Sequence, residues 1–188
     1  LGMLRQTAGL DEGVLLDAVD EAERSGLIVT APSRGLAYRF SHELLRRSVI
    51  DRLPSLRRAE IHLQVAEALE RDHRVEENGD RLAALAHHFA AAAPIGGTQR
   101  AIAYNLEAAH AAAAALAFDE ATERLRTALD LEIPDRGERA EAYLELGDAS
   151  HHAGRALDAL EAFGTTAELA RGLGDAALLA RAAIGFEE

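Results

Sequence analysis

The 188-residue chain has no cysteine, no tryptophan and no lysine. Without cysteine it has no disulfide, no thiol nucleophile and no zinc site built on thiolates. Without lysine it cannot contain the Walker phosphate loop, G-x-x-x-x-G-K-[ST], because the lysine of that loop reaches the β- and γ-phosphates. No other catalytic motif appears in the sequence. We therefore expect that this chain is not an enzyme.

Aromatic residues and long apolar runs are also scarce. Only 4% of the residues are aromatic, whereas alanine occupies 41 positions, which favours helices over a sheet core. No apolar run approaches the roughly 18 residues of a membrane span, and the first residues carry neither a basic region nor an apolar signal core. We expect a mainly α, cytoplasmic protein that makes no contact with a membrane.

Charge is distributed unevenly along the chain. Residues 1–62 hold 9 arginines and 9 acidic residues, whereas residues 63–188 hold 11 arginines and 23 acidic residues. The second segment therefore carries the whole net charge of −12, which argues against a surface that binds nucleic acid throughout.

The first segment, residues 1–54, has the pattern of a small winged-helix module. Asp11 is placed to cap a helix that ends near Arg24, and Ser25-Gly26 stops it. Two strands follow, 27–30 and 36–40, around a turn through Pro32 and Gly35. Ser41 is placed to cap a second helix over 42–53. The apolar pattern predicts that this helix buries a set of five residues, which are Leu44, Leu45, Ser48, Val49 and Leu53.

The second segment, residues 55–188, predicts only helices, and these form a 38-residue repeat. The same shift moves Ala109 onto Gly147 and then onto Gly185, and it moves Leu125 onto Phe163. Small residues that let paired helices approach, each with a larger neighbour, are typical of tetratricopeptide repeats. We predict a tetratricopeptide-like α-solenoid of antiparallel helix pairs, in which Asn105, Ala112 and Thr166 depart from the usual pattern.

Candidate binding residues cluster around the second predicted helix. His42 lies at its first turn, where free N–H groups and the helix dipole favour anions, so it is a candidate donor to phosphate. A surface or capping histidine with no ligand is the alternative. Seven arginines lie between Arg34 and Arg58, and Arg39, Arg46 and Arg47 are the candidates for contacts with phosphate or with an acidic neighbouring domain. A solvated face whose arginines pair with the excess carboxylates of the chain is the alternative.

Two histidine pairs, His87-His88 and His151-His152, are the remaining candidates for metal ligands. Neighbours on a helix diverge by about 100°, so a pair does not converge on one ion. We predict no metal site.

Three stretches resemble the middle part of large bacterial STAND ATPases, the signal-transduction ATPases with numerous domains. They are GLDEGVLLDAVDEAERSGLIV, YRFSHELLRRSVIDRLPSLRRAEIHLQVAEALE and AALAHHFAAA, followed by the tetratricopeptide-like helices. Within this class, the chain resembles LuxR-type transcriptional regulators and related adenylate-cyclase-linked proteins of actinobacteria. The resemblance covers nearly the whole chain and is strongest over residues 36–70.

The resemblance implies a fragment of a longer signal-transduction protein. An upstream ATP-binding module would act in cis with ATP or ADP as its cofactor, and His42 would sense the phosphates of the bound nucleotide. An unknown effector or partner protein would bind the helical arm, and DNA would be bound only by a domain outside this chain. A self-contained peptide-binding scaffold and direct DNA binding by the winged helix are the alternatives.

Overall fold

The structure is a computed structural model that describes residues 2–31, 37–72 and 79–186. Within these ranges the chain forms ten α-helices, one 3₁₀ helix and one two-stranded hairpin, which confirms the mainly α fold. The residues group into two compact units, Leu1–His73 and Arg74–Glu188. Among the described residues, no helix combines the length and the apolar character needed to cross a membrane.

The first unit has the predicted order of helix, hairpin and helix. Its elements are α1 (Gly2–Thr7), α2 (Glu12–Arg24), β1 (Ile28–Ala31), β2 (Ala37–Phe40), α3 (Glu43–Asp51) and α4 (Ser55–Arg71). The strands pair antiparallel from Ile28 opposite Phe40 to Ala31 opposite Ala37. The predicted turn residues, Pro32 to Gly35, lie outside the described residues.

The predicted helix caps of this unit differ in outcome. Asp11 caps α2 as expected, because its carboxylate accepts a hydrogen bond from the Gly13 amide at 2.9 Å. The prediction for Ser41 is wrong, since the residue at the cap position of α3 is His42. The Ser41 hydroxyl instead donates to the Gly26 carbonyl at 2.6 Å, so it holds the base of the hairpin to the end of α2.

The predicted buried face of α3 is also partly wrong. Leu44 is 79% exposed, Val49 is 42% exposed and Ser48 is exposed too, whereas Leu45, Ile50 and Leu53 are half-buried. The helix packs on β2, whose own side chains are at most half-buried, so only a narrow stripe of α3 is covered. The apolar pattern of α3 is therefore wider than the surface that the hairpin offers it.

Helix α4 belongs to the first unit because it packs against α1. The sequence pattern predicts the boundary between the two segments at residue 54, before this helix. The division by packing comes after it, between residues 73 and 74. The difference arises because α1 and α4 lie at opposite ends of the unit's sequence, and their contact is not visible in local patterns.

The second unit is built of adjacent helices that pack in chain order. Its elements are α5 (Gly79–Ala92), a 3₁₀ helix (Ala93–Ile95), α6 (Thr98–Ala114), α7 (Phe118–Asp130), α8 (Arg136–His152), α9 (Ala156–Leu173) and α10 (Ala176–Gly185). The shift that moves Ala109 onto Gly147 also moves the first residues of α6 and α7 onto the first residues of α8 and α9. The predicted repeat is therefore confirmed by where the helices begin.

The helix pair α6–α7 is one repeat, α8–α9 is the next, and α10 begins a third. Phe163 on α9 fills the groove between α8 and α10. Its ring is 2% exposed, and it lies against the backbone of Gly147 on α8 and of Gly185 on α10. A Cβ atom at Gly147 would overlap Cε1 of the ring, and one at Gly185 would lie 2.5 Å from Cζ. One repeat earlier, Leu125 takes the place of Phe163 and packs in one cluster with Ala109, which takes the place of Gly147. The larger phenylalanine is therefore paired with glycine, and the smaller leucine with alanine.

Asn105 departs from the repeat pattern because it makes a polar contact inside the unit. The residue is fully buried, and its side-chain amide donates to the Ala101 carbonyl at 2.8 Å and to the Ala86 carbonyl at 3.3 Å. The second bond crosses from α6 to α5. Asn105 thus joins the first repeat to the helix before it.

Candidate functional site

His42 lies in the first unit at the start of α3. Its backbone is extended, with φ −140° and ψ 141°, and its side chain is exposed and makes no capping hydrogen bond to the helix. The first-turn amides of α3 and the imidazole are therefore presented at the same helix start. This geometry suits the recognition of an anion such as a phosphate group.

The three candidate arginines are placed differently from one another. Arg46 binds the Glu43 carboxylate with two nitrogens, at 2.8 and 2.5 Å, and Arg47 reaches the same carboxylate at 3.4 Å. The hydrogen bond from Arg46 holds the pKa of Glu43 below its usual range, and the Glu43 carboxylate raises the pKa of Arg46. Arg39 lies exposed on β2, opposite Val29.

The arginine cluster is therefore partly neutralised from within the first unit. Besides the pairs at Glu43, Arg57 binds Glu60 at 3.0 Å on α4. These pairs are exposed and local along the helices, so each contributes little to stability. The arrangement agrees with the alternative of a solvated, internally paired face for Arg46, Arg47 and Arg57, while Arg39 and His42 stay oriented toward solvent.

A cleft of about 300 Å³ lies in the second unit, between α6, α7 and α8. Its floor is apolar and comes from small or aliphatic side chains of all three helices. Phe118, the first residue of α7, forms an aromatic wall, and its ring lies 4.7 Å from the ring of His152 at the end of α8. The apolar lining residues are Ala109, Ala113, Phe118, Leu125 and Ala149.

The polar residues of the cleft are two histidines and two acids. Nε2 of His110 and Oε2 of Glu145 lie 2.8 Å apart and form a hydrogen bond that joins α6 to α8 across the cleft. The His110 side chain is 61% exposed and that of Glu145 is 36% exposed, so the polar rim faces water. Asp148 and His152, one helical turn apart on α8, complete the rim.

An apolar floor with a few charged groups at its rim is the usual construction of a ligand pocket. The position of the cleft follows from the repeat. Because α7 packs against both α6 and α8, the small residues on these helices leave a hollow that the neighbouring side chains do not fill. This cleft is therefore a candidate binding site within the second unit.

The sequence reasoning missed this site, although a signal for it was present. The repeat shift moves His110 onto Asp148, so the same repeat position supplies a polar rim residue in both copies. In the sequence, His152 stands out only as the neighbour of His151. The structure instead places His152 with Phe118 and His110, which are far from it along the chain.

Other charged groups of the second unit are used to join successive repeats. Arg126 on α7 binds Asp158 on α9, and Arg155, the residue just before α9, binds Asp119 on α7, both at 2.6 Å. Arg181 on α10 binds both carboxylate oxygens of Glu141 on α8 at 2.8 Å. These pairs are exposed, and they connect helices of successive repeats. Glu145 and Asp148 differ from these carboxylates because they border the apolar cleft.

Comparison with known proteins does not assign the chain to a family. No protein-family model matches the sequence, and neither the curated proteins nor the solved structures contain a significant match.

Proposed function

We propose that the chain is the regulatory segment of a STAND-type, ATP-dependent transcriptional regulator. The observation that carries this proposal is the order of its parts. A helix–hairpin–helix module with an exposed histidine at the start of α3 precedes helices that follow one regular repeat. This is the order of elements expected from the resemblance to LuxR-type regulators. The segment itself is non-catalytic and cytoplasmic in this proposal.

The first unit would contact the nucleotide held by an ATP-binding module of the same protein. His42 donates to a phosphate of ADP or ATP from the start of α3, where the helix amides add a favourable field. Arg39 on β2 provides a second positive group for the same anion or for the neighbouring domain. Arg46 and Arg47 support the helix start through Glu43.

The second unit would act as the arm that binds an effector or a partner protein. An effector changes the regulator only if it binds one arrangement of the protein more tightly than the other. Binding on the arm that favours the arrangement without the His42 contact would therefore weaken nucleotide binding. By linkage, the nucleotide would weaken effector binding by the same factor. DNA would be recognised by another domain of the protein.

The test uses the chain joined to the module encoded directly upstream of it. Replacing His42 with alanine should weaken ADP affinity, measured by calorimetry, because a donor to the phosphate is lost. Arg24→Ala is the matched control, since Arg24 pairs with Glu21 on the exposed surface of α2 in the same unit. An ADP affinity that His42→Ala leaves unchanged would remove His42 from the mechanism. The absence of a Walker motif upstream would contradict the proposal as a whole.

A self-contained peptide-binding scaffold is the second candidate function, and the cleft between α6, α7 and α8 is the observation that favours it. Helical repeats bind partners without any nucleotide. The two functions differ in one measurable respect, since a scaffold binds its partner equally well with and without ADP in the joined protein.

A further inference from the structure

We propose that the cleft between α6, α7 and α8 binds a small organic cation with an aromatic or aliphatic body, such as an arylalkyl-ammonium ion. As the effector class of the arm, this inference rests on the proposed function. As a binding site, it rests only on the described residues of the second unit.

The volume and lining of the cleft set the size and the apolar part of the ligand. A cavity of about 300 Å³ is at the lower end of the range for small-molecule sites, roughly 300–1,000 Å³. Ala109, Ala113 and Ala149 make the floor flat, because they lack side chains beyond Cβ, and the Phe118 ring closes one side. A flat apolar body of about one ring fits this space.

The charge of the rim sets the sign of the ligand. Glu145 and Asp148 are the two carboxylates at the cleft, and both lie on α8 one turn apart. A carboxylate has about four acceptor sites, so the single hydrogen bond between Glu145 and His110 leaves acceptor capacity for an ammonium group. The arginines that pair across the repeats, Arg126, Arg155 and Arg181, do not line this cleft.

The net charge of the second unit also favours a cationic ligand. Residues 74–188 contain 10 arginines and 20 acidic residues, so the unit is strongly negative at neutral pH. A negative surface raises the local concentration of cations and repels anions. The Phe118 ring adds an aromatic surface, which attracts a cation placed over its face.

The arrangement also gives a direct link between binding and repeat packing. Glu145 joins α8 to α6 through His110, and Phe118 and Leu125 bring α7 to the same cleft. A cation bound to Glu145 therefore contacts both repeats at once. It favours the arrangement of the two repeats in which its ammonium group and its apolar body are both satisfied.

The experiment measures binding of phenethylammonium chloride to the 188-residue chain by amide NMR and calorimetry. Saturable shifts are expected for the amides of His110, Glu145 and Ala149. Phenylacetate has a similar body with the opposite charge, and 3-phenylpropan-1-ol is a neutral analogue. Both should bind at least several-fold more weakly.

Two variants with a matched control locate the site. Glu145→Gln and Asp148→Asn should each weaken phenethylammonium binding, the former roughly tenfold, because a hydrogen bond to a charged acceptor is replaced by a neutral one. Glu141→Gln, one turn away on α8 and paired with Arg181 outside the cleft, removes the same charge and should leave binding unchanged. Circular dichroism shows whether each variant is folded.

Equal binding of the three probes, an equal loss in Glu141→Gln and Glu145→Gln, or the lack of saturable shifts at millimolar probe would each overturn the inference. Cleft binding by an acetylated Phe-Arg amide but not by phenethylammonium would overturn it too, in favour of a peptide ligand. The outcome is separate from the test of the proposed function. A cation that binds the cleft without changing ADP affinity in the joined protein supports this site and contradicts the regulatory mechanism.

Discussion

Replacing Gly147 with alanine adds one methyl group at the tightest contact between repeats. In α8 the new Cβ would overlap Cε1 and lie 2.5 Å from Cδ1 of Phe163, whereas carbon atoms in contact are about 3.5–4.0 Å apart. The ring would have to move by roughly 1 Å or more to restore an ordinary contact. The backbone of Gly185 is also close to the ring, since a Cβ atom added there would lie 2.5 Å from Cζ.

The change in unfolding free energy caused by Gly147→Ala is the difference between a favourable and an unfavourable contribution. Alanine in place of glycine inside a helix is favourable by about 1 kcal/mol. Overpacking a filled core costs about 1–3 kcal/mol and more where neighbours are unable to shift. Since Phe163 is 2% exposed and lies close to two glycine backbones, the cost of overpacking should be at the upper end of this range. We expect Gly147→Ala to lower the free energy of unfolding by about 1–2 kcal/mol.

Thermal and urea unfolding, followed by circular dichroism, measure this change. The control is Gly164→Ala in the neighbouring helix α9, where the nearest atom to the new Cβ is Cζ of Phe186 at 3.9 Å. This control has the same helix-propensity term without the clash, so it should be as stable as the natural chain or up to about 1 kcal/mol more stable. For a chain of this size, 1 kcal/mol corresponds to about 2–4 °C in Tm.

A double variant tests the physical reason. Gly147→Ala together with Phe163→Leu recreates the combination that Ala109 and Leu125 provide one repeat earlier. The double variant should lose less unfolding free energy than the two single variants lose together, because the smaller side chain at position 163 makes room for the methyl group. The reasoning is refuted if Gly147→Ala matches the stability of Gly164→Ala, or if the two losses simply add.

Two further substitutions test the polar contacts of each unit. Asn105→Ala should destabilise the second unit by about 1–3 kcal/mol in urea unfolding, because it removes the bond to Ala86 and leaves a space in the core. Arg46→Gln should raise the pKa of Glu43 toward its usual value of 4.5, measured by carboxyl-carbon NMR. Because folding lowers the pKa of Glu43, its contribution to stability is present above that value and is lost as the pH falls through the folded pKa. A Glu43 titration that Arg46→Gln leaves unchanged, or an Asn105→Ala variant of undiminished stability, would contradict these assignments.

Local patterns were sufficient to predict the helices and the repeat. Breaks such as Gly154 and Pro134 act within one or two residues, and a helix cap such as Asp11 bonds its own first turn. The two strands of the hairpin are close neighbours along the chain, so their pairing is also local. A single sequence contains the information needed to find interactions of this kind.

The cleft was not predicted because its residues meet only after the helices pack. His110 and Glu145 come from different repeats, and Phe118 meets His152 across two helices. The repeat shift placed His110 and Asp148 in one repeat position, but the shift alone does not show which way a side chain points. His42 and Arg39 were located correctly at a helix start and on a strand, since both positions depend on local structure.

The sequence by itself determined the helix-rich composition, the division of charge and the period of the repeat, because these depend on residue type and on spacing along the chain. Tertiary packing decided that α4 joins the first unit, that Leu44 stays exposed, that Ser41 bonds the hairpin base and that Phe163 lies between two glycines. Each of these depends on surfaces supplied by distant parts of the chain. Burial is a property of two surfaces in contact, and a sequence pattern describes only one of them.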